Sequence, residues 1–76
     1  MEIEFSRHSV DQLKVRSRIT RSMVLDAINK PDKVLRSYRG RQLYRKKIGE
    51  EFLEIVAVKE DNKLVVITQY FLERLS

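Results

Sequence analysis

One proline divides this chain into two halves with different rules. Pro31 is the only proline in the 76 residues, and the spacing of apolar side chains changes across it. Before it, Met23 stands four residues from Ala27 and Val24 four from Ile28, two adjacent rows that make one face of a helix. Thr20 is placed to cap that helix, and the proline ends it by disfavouring helical geometry at Lys30. After it the period falls to two. Val34 to Tyr38 reads as a strand, Arg39-Gly40-Arg41 as a turn and Gln42 to Ile48 as a second strand. Gly49-Glu50-Glu51 then turns the chain into Phe52 to Lys59, and Glu60-Asp61-Asn62-Lys63 turns it into Leu64 to Phe71.

The residues before the helix add two pieces. Glu2-Ile3-Glu4-Phe5 alternates polar and apolar, as a half-buried strand does. A short helix follows, capped by Ser6 or Ser9 and running to about Arg16, with Val10 and Leu13 as its apolar stripe. Short connections between consecutive strands favour antiparallel pairing. The predicted fold is therefore α+β: two N-terminal helices packed on an antiparallel sheet of four to five strands. Strands 52–59 and 64–71 are apolar on both faces and belong at its centre.

A chain this short has room for one core, so residues 1–76 form a single domain. Hydrophobic residues make up 42% and only two glycines occur, which suits a folded domain better than a linker. The absence of cysteine excludes disulfides, thiolate metal sites and cysteine nucleophiles. The first residues lack the basic and apolar segments of a secretory signal. The longest apolar run, Leu64 to Ile67, is far too short for a bilayer. A cytoplasmic location with no membrane partner is expected.

The net charge is +5, and its placement matters more than its size. Arg7, Lys14, Arg16, Arg18 and Arg21 are opposed only by Asp11, and the stretch from Lys33 to Lys47 holds Lys33, Arg36, Arg39, Arg41, Arg45, Lys46 and Lys47 with no acid. The acids gather at Glu50, Glu51, Glu54, Glu60 and Asp61. Such asymmetry suits a polyanion, although a charge run also serves simply to keep a surface solvated. On strand 42–48, Leu43, Arg45 and Lys47 point one way and Tyr44, Lys46 and Ile48 the other. Unpaired lysine is costly to bury, so part of this strand must face water.

The chemistry on offer is narrow. His8 is the one histidine, suited to moving protons near neutral pH, and equally at home as a surface or capping residue. No His-x-x-x-His or HExxH spacing, glycine-rich phosphate loop or nucleophile elbow is present, so no metal and no cofactor is expected. RNA cleavage fits what remains, because RNA carries its own nucleophile. It needs a base for the 2′-hydroxyl proton, an acid for the leaving 5′-oxygen and cations for the phosphorane. Tyr44 and Tyr70 could stack on bases, or pack across strands.

Five segments resemble a known family: Phe5-Ser6-Arg7-His8-Ser9, Arg16-Ser17-Arg18-Ile19-Thr20, Ala27 to Asp32, Gly40 to Gly49 and Val65 to Tyr70. Together, in this order, they are similar to small prokaryotic domains of unknown function related to RelE and BrnT toxins, within the barnase–EndoU–colicin–RelE superfamily of metal-independent ribonucleases. The resemblance implies helices on an antiparallel sheet with RNA bound on the sheet. It implies His8 as general acid or base, Lys46 and Arg16 (or Arg18) on the phosphate, and Thr68 and Tyr70 as positioning groups. The sequence departs from the family pattern at Ser9 and Gln12, where alanine and arginine are usual.

The expected activity is thus toxin-like, metal-independent RNA cleavage, including cleavage of ribosome-bound message. The expected catalytic residues are His8, Arg16, Lys46, Thr68 and Tyr70, and the expected RNA contacts Arg18, Arg36, Arg41, Tyr44, Arg45 and Lys47. Two alternatives use the same basic surface: a nucleic-acid-binding module without catalysis, and a subunit covered by an acidic partner such as an antitoxin.

Overall fold

The computed structural model describes residues 2–15 and 18–72. The chain runs β1 (Glu2–Phe5), α1 (Arg7–Lys14), α2 (Arg21–Asn29), β2 (Lys33–Arg36), a 3₁₀ turn (Tyr38–Gly40), β3 (Arg41–Ile48), β4 (Glu51–Glu60) and β5 (Lys63–Phe71). One five-stranded sheet has the order β1-β5-β4-β3-β2. The α+β class and the central place of β4 agree with the sequence reading.

The all-antiparallel sheet does not. The hairpins β2–β3, β3–β4 and β4–β5 are antiparallel, but β1 lies parallel to β5, with Ile3 beside Leu64 and Phe5 beside Val66. The short-connection argument covers only strands that follow one another directly. β1 is separated from every other strand by both helices, which carry the chain to the far edge of the sheet. Ser6 fixes the junction. It caps α1 by accepting the Ser9 N–H at 3.1 Å, while its own N–H reaches the Val66 carbonyl at 2.9 Å and its hydroxyl the Ile67 carbonyl at 3.0 Å. The register of β4 and β5 shifts between Val56 and Ala57, because Val56 faces Thr68 and Ala57 faces Val66, leaving Ile67 as the extra residue of a β-bulge.

α2 begins at its expected cap, with the Met23 N–H 3.1 Å from the Thr20 hydroxyl oxygen, and ends just before Pro31. α1 is shorter than expected, ending at Lys14 with Val15 extended. Both helices lie on one side of the sheet, α1 over β5 and α2 over β4 and β3. Val24, Ala27 and Ile19 form the core there with Leu53, Ile55 and Val66. Because side chains alternate along a strand, this fixes the two faces. Residues in register with Leu53, Ile55 and Ala57 face the helices, and their neighbours face the open side. Among the described residues no helix is long and apolar enough to cross a membrane.

The turns show where the backbone is under demand. Gly49 has φ +66 at the first position of the β3–β4 hairpin, where glycine is favoured. Arg39 also lies in the left-handed region, at φ 64, next to Gly40 at φ 70. For a residue with a Cβ this conformation costs about 1–2 kcal/mol.

Candidate functional site

The open face carries a row of residues in register across four strands: Lys33 on β2, Arg45 on β3, Glu54 on β4 and Tyr70 on β5. Glu54 is its centre. Its side chain is only 5% exposed although no helix covers it, because its neighbours in the row close over it. The Arg45 Nε–H donates to Glu54 Oε1 at 2.6 Å, and the Tyr70 hydroxyl donates to Glu54 Oε2. The Arg45 side chain remains 31% exposed. Lys33 and Arg45 are like charges directly opposite one another, an arrangement that Glu54 offsets.

Beside this row lies a second, in which Lys47 faces Phe52. Phe52 and Tyr70 are 40% and 39% exposed, unusual for aromatic residues on central strands. Arg41 extends the cationic line towards the other end of β3, where it faces Val58, and Leu35, Leu43 and Val56 form an apolar strip between. Lys33, Arg41 and Lys47 have no carboxylate partner for their side chains among the described residues. Asp32 accepts the backbone N–H of Lys47 at 2.7 Å. The acids of this face that remain, Glu2, Glu4 and Glu60, sit at the opposite corner around Lys63. One half of the open face is therefore basic and aromatic.

The four expected catalytic residues that fall among the described residues do not come together. Thr68 and Tyr70 face the open side. His8 lies exposed in the helix layer, on the other side of the sheet. Lys46 is in register with Leu53 and so faces the helices, where its ammonium meets Asp26 at 2.7 Å and holds that carboxyl below its usual range. Arg16 lies outside the described residues. No single pocket can therefore contain His8, Lys46 and Tyr70. The cause is the alternation along β3 and β5, which sends Lys46 and Tyr70 to opposite faces.

The expected RNA contacts divide as well. Arg41, Arg45 and Lys47 share the open face. Tyr44 faces the core, its hydroxyl 2.6 Å from Gln42 Oε1, and burial pushes its phenol up. Arg36 is in register with Gln42, on the side of Tyr44. Arg18 makes two bonds to Glu51, at 2.9 and 2.8 Å, and lies 4.5 Å from the centre of the Phe71 ring. That leaves it structurally engaged. Glu54 and Phe52 were missed. The available signal was a lone carboxylate between Leu53 and Ile55 in an otherwise apolar strand, which must find a partner wherever that strand is buried.

A family described as Domain of unknown function (DUF4258) matches residues 5–71, nearly the whole chain. The chain belongs to this family. No curated protein and no solved structure matches the DUF4258 chain. The matched span takes in every residue of the open-face site and both helices.

The Tyr70 phenol offers a direct check on this geometry. Burial, then the hydrogen bond to Glu54, pushes it up to about 12. An unfolded tyrosine ionises near 10, so the folded chain keeps this proton while the unfolded chain loses it. The stabilisation is complete below about pH 10 and is lost as pH rises towards 12. Absorbance titration should show a tyrosine ionising near 12, and Tyr70→Phe should remove that step and lessen the alkaline loss of stability, the raised Tyr44 phenol keeping its own share. A wild-type chain whose tyrosines all titrate near 10 would contradict the Tyr70–Glu54 bond.

Proposed function

We propose that the open face of the sheet binds RNA, with Lys33, Arg41, Arg45 and Lys47 on phosphates and Phe52 and Tyr70 stacking on bases. The observation that carries this reading is the exposed Phe52 facing the unpaired Lys47, with the exposed Tyr70 one strand away, on the side of the sheet opposite the helices. Phosphate contacts supply affinity, and stacking on aromatic side chains accepts any unpaired base. Affinity for an unstructured RNA should then fall with salt at a log–log slope of about −3, roughly 0.7 for each of four phosphates. Lys47→Ala should reduce that slope by about 0.7. Phe52→Ala should weaken binding by about 1–3 kcal/mol at every salt concentration. His8→Ala and Lys46→Ala, on the other side of the sheet, should leave binding unchanged. Loss of binding in those two variants with retention in Lys47→Ala would move the site away from this face.

The Glu54 cluster favours a second reading on the same surface, namely metal-independent RNA cleavage of the toxin type. Glu54 would take the 2′-hydroxyl proton as O2′ bonds to phosphorus. The P–O5′ bond would break, with Tyr70 supplying the proton to the leaving oxygen and Arg45 holding the phosphorane. The toxin-like part of this reading rests on the resemblance of the five segments to small domains related to RelE and BrnT toxins, and no curated protein adds to it. An acidic antitoxin would cover the same cations. Incubation with RNA in chelator separates the two readings. Cleavage ends bearing 2′,3′-cyclic phosphate, lost in Glu54→Gln but kept in His8→Ala, are the result expected of an enzyme. Binding without cleavage leaves the binding module.

A further inference from the structure

The most exposed large hydrophobic side chain among the described residues lies off this face. Tyr38 is 79% exposed at the tip of the β2–β3 connection. It is neither in the core nor among the partly buried side chains packed against it, so burial does not account for an aromatic there. The turn is closed by the Ser37 N–H on the Arg41 carbonyl at 2.8 Å, and Arg39 and Gly40 follow Tyr38 in left-handed conformation. At position 39 a glycine or asparagine would meet that demand with less strain, yet an arginine stands there. Arg36, Arg39 and Arg41 surround the tyrosine in sequence, and none has a carboxylate partner among the described residues. An exposed aromatic, three unneutralised guanidiniums and a strained backbone make a local feature that the fold itself does not use.

Building on the RNA-binding reading of the open face, we propose that the Tyr38–Gly40 turn is a second contact point for the same single strand. Tyr38 stacks on an unpaired base and Arg39 and Arg41 hold the flanking phosphates. Arg41 links the two points. It belongs to the turn by position and to the open face by register, and it lies four residues along β3 from Arg45, about 13 Å. A strand leaving Phe52 and Tyr70 along β3 therefore reaches Tyr38 only when it is long enough. The turn converts a compact contact surface into an extended track, selective for unpaired nucleic acid over duplex.

The test uses the full chain with oligouridines of about 4 and about 16 nucleotides, which span the usual site sizes for single-strand binders, and a duplex RNA of the longer length. The chain has no tryptophan, so Tyr38→Trp installs a single fluorophore at the turn. Its emission should be quenched by the long oligouridine and unchanged by the short one. Tyr38→Ala should weaken the long oligouridine about 10-fold, within what one stacked base contributes, and leave the short one and the duplex as in wild type. If both oligouridines bind wild type and Tyr38→Ala alters neither, the turn has no such role while the open-face reading stands. An equal loss for duplex and single strand would likewise overturn stacking at Tyr38. If neither oligouridine binds wild type, the open-face reading fails and takes the turn with it.

Discussion

Arg45→Met should destabilise the domain by about 2–3 kcal/mol, whereas Arg45→Met combined with Glu54→Leu should be close to wild type. Removing one partner of a buried ion pair generally costs about 3–5 kcal/mol, because the other charge is left without compensation. Glu54 meets the condition, with its side chain 5% exposed, but Arg45 is 31% exposed and water can enter where it stood. The lower figure follows. It remains a large part of the total for 76 residues, about 4–11 kcal/mol at roughly 0.05–0.15 per residue. Replacing both charges removes the orphan, and Tyr70 is exposed enough for its hydroxyl to bond water instead. Urea denaturation measures both variants. A double variant as unstable as the single one would mean that Glu54 is not what Arg45 holds. The double variant is also the cleanest separation of stability from binding, since it should fold and yet lose affinity for RNA.

The second large effect lies on the helix side. Ser9 is fully buried, its hydroxyl donating to Gln69 Oε1 at 2.5 Å while Gln69 Nε2 donates to the Ser9 carbonyl at 3.2 Å. This pair ties α1 to β5, the strand on which α1 chiefly rests. Ser9→Ala would leave the Gln69 carbonyl oxygen buried without a donor, a cost of about 1–3 kcal/mol. Protection of α1 amides from hydrogen exchange should drop further than that of β4 amides. Ser9→Ala with Gln69→Leu should recover part of the loss, because it removes the stranded oxygen. Unchanged protection of α1 in Ser9→Ala would show the pair to be energetically idle. Ser9 thus has a structural partner of its own in Gln69.

Local features were legible in the sequence. Thr20 as a cap, Pro31 as a stop and the hairpins at Gly49 and Asn62 are each decided by a few neighbouring residues, and each stands where expected. The alternation along β3 was legible too, with Arg45 and Lys47 on one side and Lys46 on the other. Which of those sides the helices cover was not, because that depends on contacts between residues far apart in the chain. His8 and Lys46 were grouped with Tyr70 on their chemistry and on the family resemblance, and a sheet's two faces divide them. Glu54 was read as one acid among several. Its role emerges only once Arg45 and Tyr70 are known to flank it in register. The boundary of β2 also moved, since the strand ends at Arg36 and the backbone from Ser37 onward is drawn into the turn that closes on Arg41.

The parallel pairing of Glu2–Phe5 with Lys63–Val66 has a consequence for how this protein folds. The first strand of the sheet in chain order has its hydrogen-bonding neighbour in the last, with both helices and three other strands between them. The three hairpin-linked strand pairs close short loops and can zip early. The opening strand must wait, its polar backbone solvated and Ile3 and Phe5 without a surface to bury against, until β5 is in place. The β1–β5 pair is accordingly the last of the sheet to close, and until it does the exposed edge of β5 is most open to pairing with the wrong strand.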